Sequence, residues 1–582
     1  MSPEGLATLV PVPIITHFVT AVICIILWGR TSAQRWLSVV GTIVALMTSS
    51  VLLIGHASGD VITPVYVGGW AAPFGITLVV DLFSAIMLVL NGLVGLACVI
   101  YGFGNIDNRR EQFGYHVLVQ AMLGACAQAF VAGDLFNMYV AFEVMLISSF
   151  VLLTLGGTRG QLEGAIKYVA LNLVSSTIFL IAVGLLYGMI GTLNIADMGE
   201  RLTAAENPRA VSVIAVLFVV AYGIKAGTFP LFFWLPASYH TPPSAVSALF
   251  SGLLTKVGAY AMIRVFSAVF VADRAFTGEI MIWMAGATML VGALAAAVQG
   301  EMRRALSFQL VSSIGYIVMG LGVALVAWDK ADDPTLSGEA SAALRAAGTL
   351  SIAGAVVYIA HHMIVKTNLF FFAGLVRRIF GHGEIARLGG LYKSHPMLAL
   401  GFLLSALSLA GLPIFSGFWA KLALVRAGLE AGGYWIVGVA LLTGIVTLYT
   451  MGRLWCEVFW KDAPEDASDR TKLSKVSAGA EPPPRTDGRW GAALMGGPAI
   501  AMTALTIYIG LAPAGLFGVA EKAGAQLADR SQYVSAVLPE AYLAELRADI
   551  VRVIAAREAE NAGEIDGGSA LADVPTDREV NE

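Results

Sequence analysis

Apolar runs of about twenty residues, each closed by a short polar or charged stretch, recur along the chain from residue 11 to residue 515. A helix of that length spans the hydrocarbon core of a bilayer, so the pattern predicts an all-α polytopic membrane protein with about fourteen transmembrane helices. Two runs, 345–378 and 397–431, are longer than one crossing needs and imply tilt, a break or a lateral segment. Residues 1–110 hold three helices, and a polar, proline-rich cytoplasmic loop is expected over 457–490, before a last helix at 491–515. From 516 to 582 the chain turns Ala/Glu/Arg-rich, with helical periodicity over 533–559. This predicts a surface helix and an acidic tail too poor in apolar groups to order itself.

Composition agrees. Only 13% of the residues are charged and 57% are hydrophobic, with a mean hydropathy of +0.76, whereas soluble domains carry about 25% charged residues. A net charge of −4 gives no reason to expect a nucleic-acid partner. Cys24, Cys98, Cys126 and Cys456 are scattered in apolar surroundings without a CxxC or Cys/His cluster, so no metal site and no cofactor are expected. The first residues, MSPEGLATLV, lack a basic n-region, and the first apolar run reads as a retained helix. Arginines and lysines concentrate in alternate loops (Arg30 and Arg35, Arg109 and Arg110, Arg303 and Arg304, Arg377 to Lys393). By the positive-inside rule these loops are cytoplasmic and both termini lie outside.

Against this background the stretch from Ala221 to Arg264 is unusual, because it carries Lys225, His240 and Lys256 within otherwise apolar sequence. A lysine near the bilayer centre costs about 2.5–3.5 kcal/mol and marks a functional site by default. Pro230 and Pro236 follow Lys225, and a proline within a helix forces a kink or an opening. Further charges recur: Glu143 lies about nine residues into its run, and His361, His362 and Lys366 occupy one run within about a turn of one another. Lys421 follows the breaker Pro413. Such residues persist only where they face the interior and meet partners or water. A structural cation at Lys225, a snorkelling Lys256 or a merely packed His362 are the plainer readings. Adjacent histidines point about 100° apart on a helix, which disfavours haem ligation.

The chain also repeats. Helices over 111–270 and 271–456 form two sets of five, and an odd number of crossings inverts the second set relative to the first. The fourth member of one set reads IKAGTFPLFFWLP and of the other LAGLPIFSGFWAKLAL, each a proline-broken helix with a lysine.

The blocks GDLFNMYVAFEVMLISSFVLL, HTPPSAVSALFSGLLTKVGAY, HHMIVKTNLFFFAG and LPIFSGFWAKL resemble the antiporter-like subunits shared by respiratory complex I and the Mrp-type multisubunit Na+/H+ antiporters. The resemblance spans roughly residues 70 to 455. It implies fourteen helices with inverted five-helix repeats, and a proton path with Glu143 and Lys225 as an interacting ion pair, Lys256 as a central relay, and Lys421 as a terminal site. His361, His362 and Lys366 would lie on the connecting helix. It further implies a hetero-oligomer in a prokaryotic plasma membrane, exchanging H+ for Na+ or another monovalent cation, and a secondary transporter subunit rather than an enzyme. A proton-pumping subunit of complex I or of a membrane-bound hydrogenase is the alternative. A non-transporting scaffold has no need of the buried charges.

Overall fold

The computed structural model describes residues 2–205, 207–462 and 489–561. Among them, twelve helices are long and apolar enough to cross a membrane, and Tyr115–Val131 and Pro396–Ala410 are shorter apolar helices. The bundle runs α1 (Pro3–Ile26), α2 (Thr31–Gly59), α3 (Leu82–Asn105), α4 (Tyr115–Val131), α5 (Leu135–Thr154), α6 (Arg159–Ile190), α7 (Pro208–Ala226), α8 (Ser244–Ala268), α9 (Arg274–Ala297), α10 (Met302–Ala331), α11 (Gly338–Phe380), α12 (Pro396–Ala410), α13 (Ser416–Glu430), α14 (Tyr434–Trp460) and α15 (Arg489–Leu511).

Polar residues in the loops start many of these helices. Asp81 and Asp134 accept the free amides of Ser84 and Asn137 at the heads of α3 and α5, and Thr158 with Gln161 forms a capping box on α6. Glu301 and Ser337 do the same for α10 and α11. In an apolar solvent these amides have no other partner, so the caps fix where these five helices begin.

Two of the expected breaks are present, and a third long run is unbroken. The run over 211–239 is not one helix: α7 stops at Ala226, where Gly227 takes a left-handed conformation (φ 81°). The run over 397–431 is two half-helices, α12 and α13, parted by residues 411–415. The run over 345–378 instead belongs to one unbroken helix of 43 residues, α11. A small antiparallel hairpin, Thr63–Tyr66 with Thr77–Val80, had no clear signal in the sequence. The loop expected over 457–490 lies outside the described residues from 463 to 488, as does the tail beyond 561.

α8 is buried along its whole length and α10 almost so. Three surface helices, α16 (Pro513–Ala528), α17 (Arg530–Val537) and α18 (Glu540–Asn561), cover one end of the bundle where one surface helix was expected. There Lys522 donates to the carbonyl of Ala57, and Gln526 bonds Asp60 and the amide of Leu82. Gly524 lets α16 rest on Thr349 and Ala353 of α11.

Beneath them lies a buried ion pair. Arg264, at the end of α8, meets Asp81 at 2.7 Å, with Ser84 and Tyr260 in the same cluster and the ring of Tyr533 5.3 Å away. Removing one partner of such a pair strands a charge at a cost of about 3–5 kcal/mol. Arg264→Leu is therefore expected to lower the thermal midpoint of the detergent-solubilised protein by several degrees. The double change Arg264→Leu with Asp81→Asn should recover part of that loss in the same melting experiment.

Candidate ion-translocation site

Lys225 sits in the last turn of α7, just ahead of the break. The amides of Gly227 and Thr228 fold back onto the carbonyl of Gly223 at 2.9 Å each, closing the helix end. The indole of Trp234 satisfies the Ile224 carbonyl at 2.9 Å. Pro230 lies in the following turn, whereas Pro236 lies inside a five-residue helix, Trp234–Ser238, and does not itself part the chain. His240 closes the segment, its Nδ1 on the Pro236 carbonyl.

The Lys225 ammonium donates to Ser176 Oγ at 2.9 Å and to the Asn172 carbonyl at 3.4 Å on α6, and stands 5.7 Å from the ring centre of Phe142 on α5. Glu143, the next residue of α5, is half-buried, and its Oε1 has no hydrogen-bond partner among the described residues. Its charge acts on Lys225, but the two are not within ion-pair distance of 4.0 Å.

The second half repeats this construction. Gly411 (φ 88°) ends α12 as Gly227 ends α7, with the amides of Gly411 and Leu412 on the Leu407 carbonyl at 3.1 and 3.2 Å. Here the cation comes from the far half-helix. Lys421 of α13 reaches back to donate to the carbonyls of Ala410 (2.8 Å) and Leu409 (3.2 Å), the last residues before the break. It too stands over an aromatic ring, Tyr316 of α10, at 5.0 Å. At both breaks a lysine near a left-handed glycine faces an aromatic ring. No carboxylate adjoins Tyr316 in sequence as Glu143 adjoins Phe142. Ile414, in the second break, holds φ 79°, a strained conformation for a β-branched residue.

Between the halves lies the middle of α11. His361, His362 and Lys366 are fully buried, as is Lys256 of α8. His361 Nδ1 bonds Ser416 Oγ at 2.8 Å, and Ser416 contacts Ser408 at 3.1 Å, so the histidine bridges the second break. The Lys256 ammonium donates to the Ser251 carbonyl. Both nitrogens of His362 and the amine of Lys366 have no hydrogen-bond partner among the described residues. The charge of Lys256 acts on His362 and Lys366, and that of Lys421 on His361 and Lys366.

Two glycines missed in the sequence permit this assembly. A Cβ on Gly258 would lie 2.7 Å from the Ala226 amide and 3.0 Å from the Lys225 Cβ, so its absence seats α8 against the end of α7. A Cβ on Gly417 would lie 2.9 Å from the His361 ring. Both sit two to five residues from a buried cation or break, but without a structure nothing distinguishes them from the chain's other 61 glycines, of 63 in all.

Among the described residues, twelve helices long and apolar enough to cross a membrane, closed around buried ionisable side chains, define a polytopic membrane protein. Residues 132–331 and 338–447 match the transmembrane family of NADH:quinone oxidoreductases and Mrp antiporters, and the chain belongs to that family. It is 38% identical over 535 residues to the Na(+)/H(+) antiporter D subunit of Alkalihalophilus pseudofirmus, across 91% of this chain and 99% of that one. It superposes on a chain of the Mrp complex from Dietzia sp. DQ12-45-1b with a TM-score of 0.78 at 30% identity, covering 93% of this chain and all of that one. A chain of the membrane-bound sulfane sulfur reductase, an archaeal respiratory membrane complex, gives 0.76 at 26% identity, covering 92% and 100%.

Gly258→Ala tests the packing at the first break. Overpacking typically costs about 1–3 kcal/mol, and here it would push α8 away from Lys225. The expected outcome is a lower melting temperature together with slower ion exchange. Gly438→Ala, which meets nothing within 4 Å, should change neither.

Proposed function

We propose that this chain is the proton-translocating subunit of a multisubunit Na+(cation)/H+ antiporter, a secondary transporter subunit rather than an enzyme. The names of its relatives support the activity. The observation that carries the reading is the set of fully buried Lys256, His361, His362 and Lys366 lying between two helix breaks, with Lys421 on the carbonyls of the second. In this reading protons pass along Glu143, Lys225, Lys256, His362, Lys366, His361 and Lys421. One charge moved through 100 mV is worth about 2.3 kcal/mol, comparable to the about 2.5–3.5 kcal/mol that a lysine costs at mid-membrane. The membrane potential is thus large enough to bias where the protons reside.

The two matching breaks, each with a lysine and a ring, support division into inverted sets over 111–270 and 271–456. Partner subunits are part of the proposal. Glu143 lies on the stripe of α5 that also carries Phe136, Val140 and Ile147, which are 48%, 37% and 63% exposed. A carboxylate on such a stripe facing lipid is costly, so a neighbouring membrane subunit is expected to cover it. Redox-driven pumping is the second reading, favoured by the likeness to the sulfane sulfur reductase chain. It places the drive in partner subunits and uses the same row.

Na+-driven collapse of a pH gradient in inverted vesicles holding the whole complex tests the proposal. Lys256→Ala and Lys421→Ala should each leave the complex assembled on native gels and cut exchange at least tenfold. Glu143→Gln should lose most exchange, while Glu143→Asp keeps part of it. Exchange at the wild-type rate by an assembled Lys256→Ala complex would overturn the reading.

A further inference from the structure

The lysine row does not use the polar groups of the N-terminal helices. Gln34, Ser38 and Thr42 occupy one face of α2 at four-residue spacing, and all are buried. They meet a matching face of α4, where His116, Gln120 and Gly124 recur at the same interval. Gln120 donates to the Ser38 carbonyl at 3.1 Å and to Thr42 Oγ1 at 3.0 Å, and its own oxygen lies 2.7 Å from His17 Nδ1 on α1. Gln34 bonds the Cys24 carbonyl at 2.8 Å, and the Cys24 thiol lies 4.0 Å from Ser38 Oγ. At the end bearing the arginine-rich loops the column terminates in charge: Arg35 grips Glu111 with two bonds, and Glu111 meets His116 at 2.8 Å.

The inner end is His17. It lies nine residues before the end of α1, or about 14 Å, which is half of a hydrocarbon core of about 30 Å. It is 1% exposed. The elements packed on it present Gln120 and Thr42, and among the described residues no charged group acts on it. Interhelical glue would use hydrogen bonds of this kind. Glue needs neither an ionisable ring at mid-membrane nor a carboxylate and a histidine at the mouth.

The far side of α4 leads toward the lysines. A Cβ on Gly124 would meet the His17 Cβ at 3.2 Å. Next to it, the Leu123 carbonyl accepts from Asn91 of α3, whose Oδ1 is buried without a partner among the described residues. α3 in turn packs Val94 on Gly252 of α8, four residues from Lys256.

We propose that α1, α2 and α4 enclose a proton-access half-channel, running from Glu111 and His116 to a proton-binding site at His17 and opening through Asn91 to Lys256. This rests on the proton-translocating reading above. A neutral His17 takes a proton on its ring to become imidazolium, its other nitrogen keeping the bond to Gln120. It returns to neutral by giving that proton to an uncharged Lys256 amine, through hydration held at Asn91. Lys256 regains its uncharged amine by passing the proton on to Lys366 along the lysine row, so no electrons move and both groups end as they began.

Two measurements on vesicles holding the whole complex test this. The first uses native cysteines: Cys24 lines the column and Cys98 lies in apolar packing, and both are fully buried. A small water-soluble thiol reagent, read by mass spectrometry, should modify Cys24 at least tenfold faster than Cys98, with Cys456 as the exposed control. The second is His17→Asn, which keeps a hydrogen-bonding side chain but cannot hold the proton. The complex should assemble and exchange at least fivefold more slowly. Equal modification of Cys24 and Cys98 would overturn the half-channel. So would wild-type exchange by an assembled His17→Asn complex. If that variant does not assemble, the cysteine comparison decides. Loss of exchange in Lys256→Ala alongside a normal His17→Asn rejects the half-channel and leaves the lysine row standing, whereas full exchange in Lys256→Ala rejects the row itself.

Discussion

An ammonium group cannot rest against lipid tails, and the fold is arranged around that fact. Desolvating a charge costs several kcal/mol unless partners or water replace its hydration. α8, which carries Lys256, is therefore the most enclosed helix of the bundle, and the unbroken middle of α11 lies beside it. The two breaks follow from the same need. A helix that ends inside the membrane presents unpaired carbonyls and the negative end of its dipole, and Lys421 lies on just such carbonyls at the end of α12. The charge stabilises the opened backbone, and the opened backbone stabilises the charge.

The two halves share this solution but not its details. In the first the lysine precedes the break and leans on α6. In the second it follows the break and reaches back across it. Phe142 has only a face to offer Lys225, whereas Tyr316 also fastens its hydroxyl to the Ala440 carbonyl of α14 at 2.6 Å. The second site is thereby tied to α14, whereas at the first Glu143 is only half-buried.

Much of this was legible in the sequence because insertion into lipid is so selective. Apolar runs of fixed length marked the long helices, and each buried lysine stood out against its run. The breaks were visible as prolines, yet the residues that turn the chain are Gly227 and Gly411. Proline says that a helix cannot continue, whereas a left-handed glycine decides where it stops, and only the first is conspicuous in a glycine-rich membrane protein. The absence of a direct Glu143–Lys225 contact was not legible, since spacing along two helices does not fix a distance between them. Nor was the polar column of α1, α2 and α4. Its members are neutral glutamines, serines and threonines whose significance lies in sharing a face across three helices. The hairpin was hidden by its strands of four residues.

α11 is about 64 Å long at 1.5 Å per residue, twice what a crossing requires. Its middle holds His361, His362 and Lys366, and its outer part carries the seat of α16 at Thr349 and Ala353, twelve and eight residues from His361. Helices resist compression along their axis, so a small axial slip at the histidines would arrive at that seat undiminished. The surface helix is thus placed like the pointer on a pushrod, where any such slip would show as a displacement of α16.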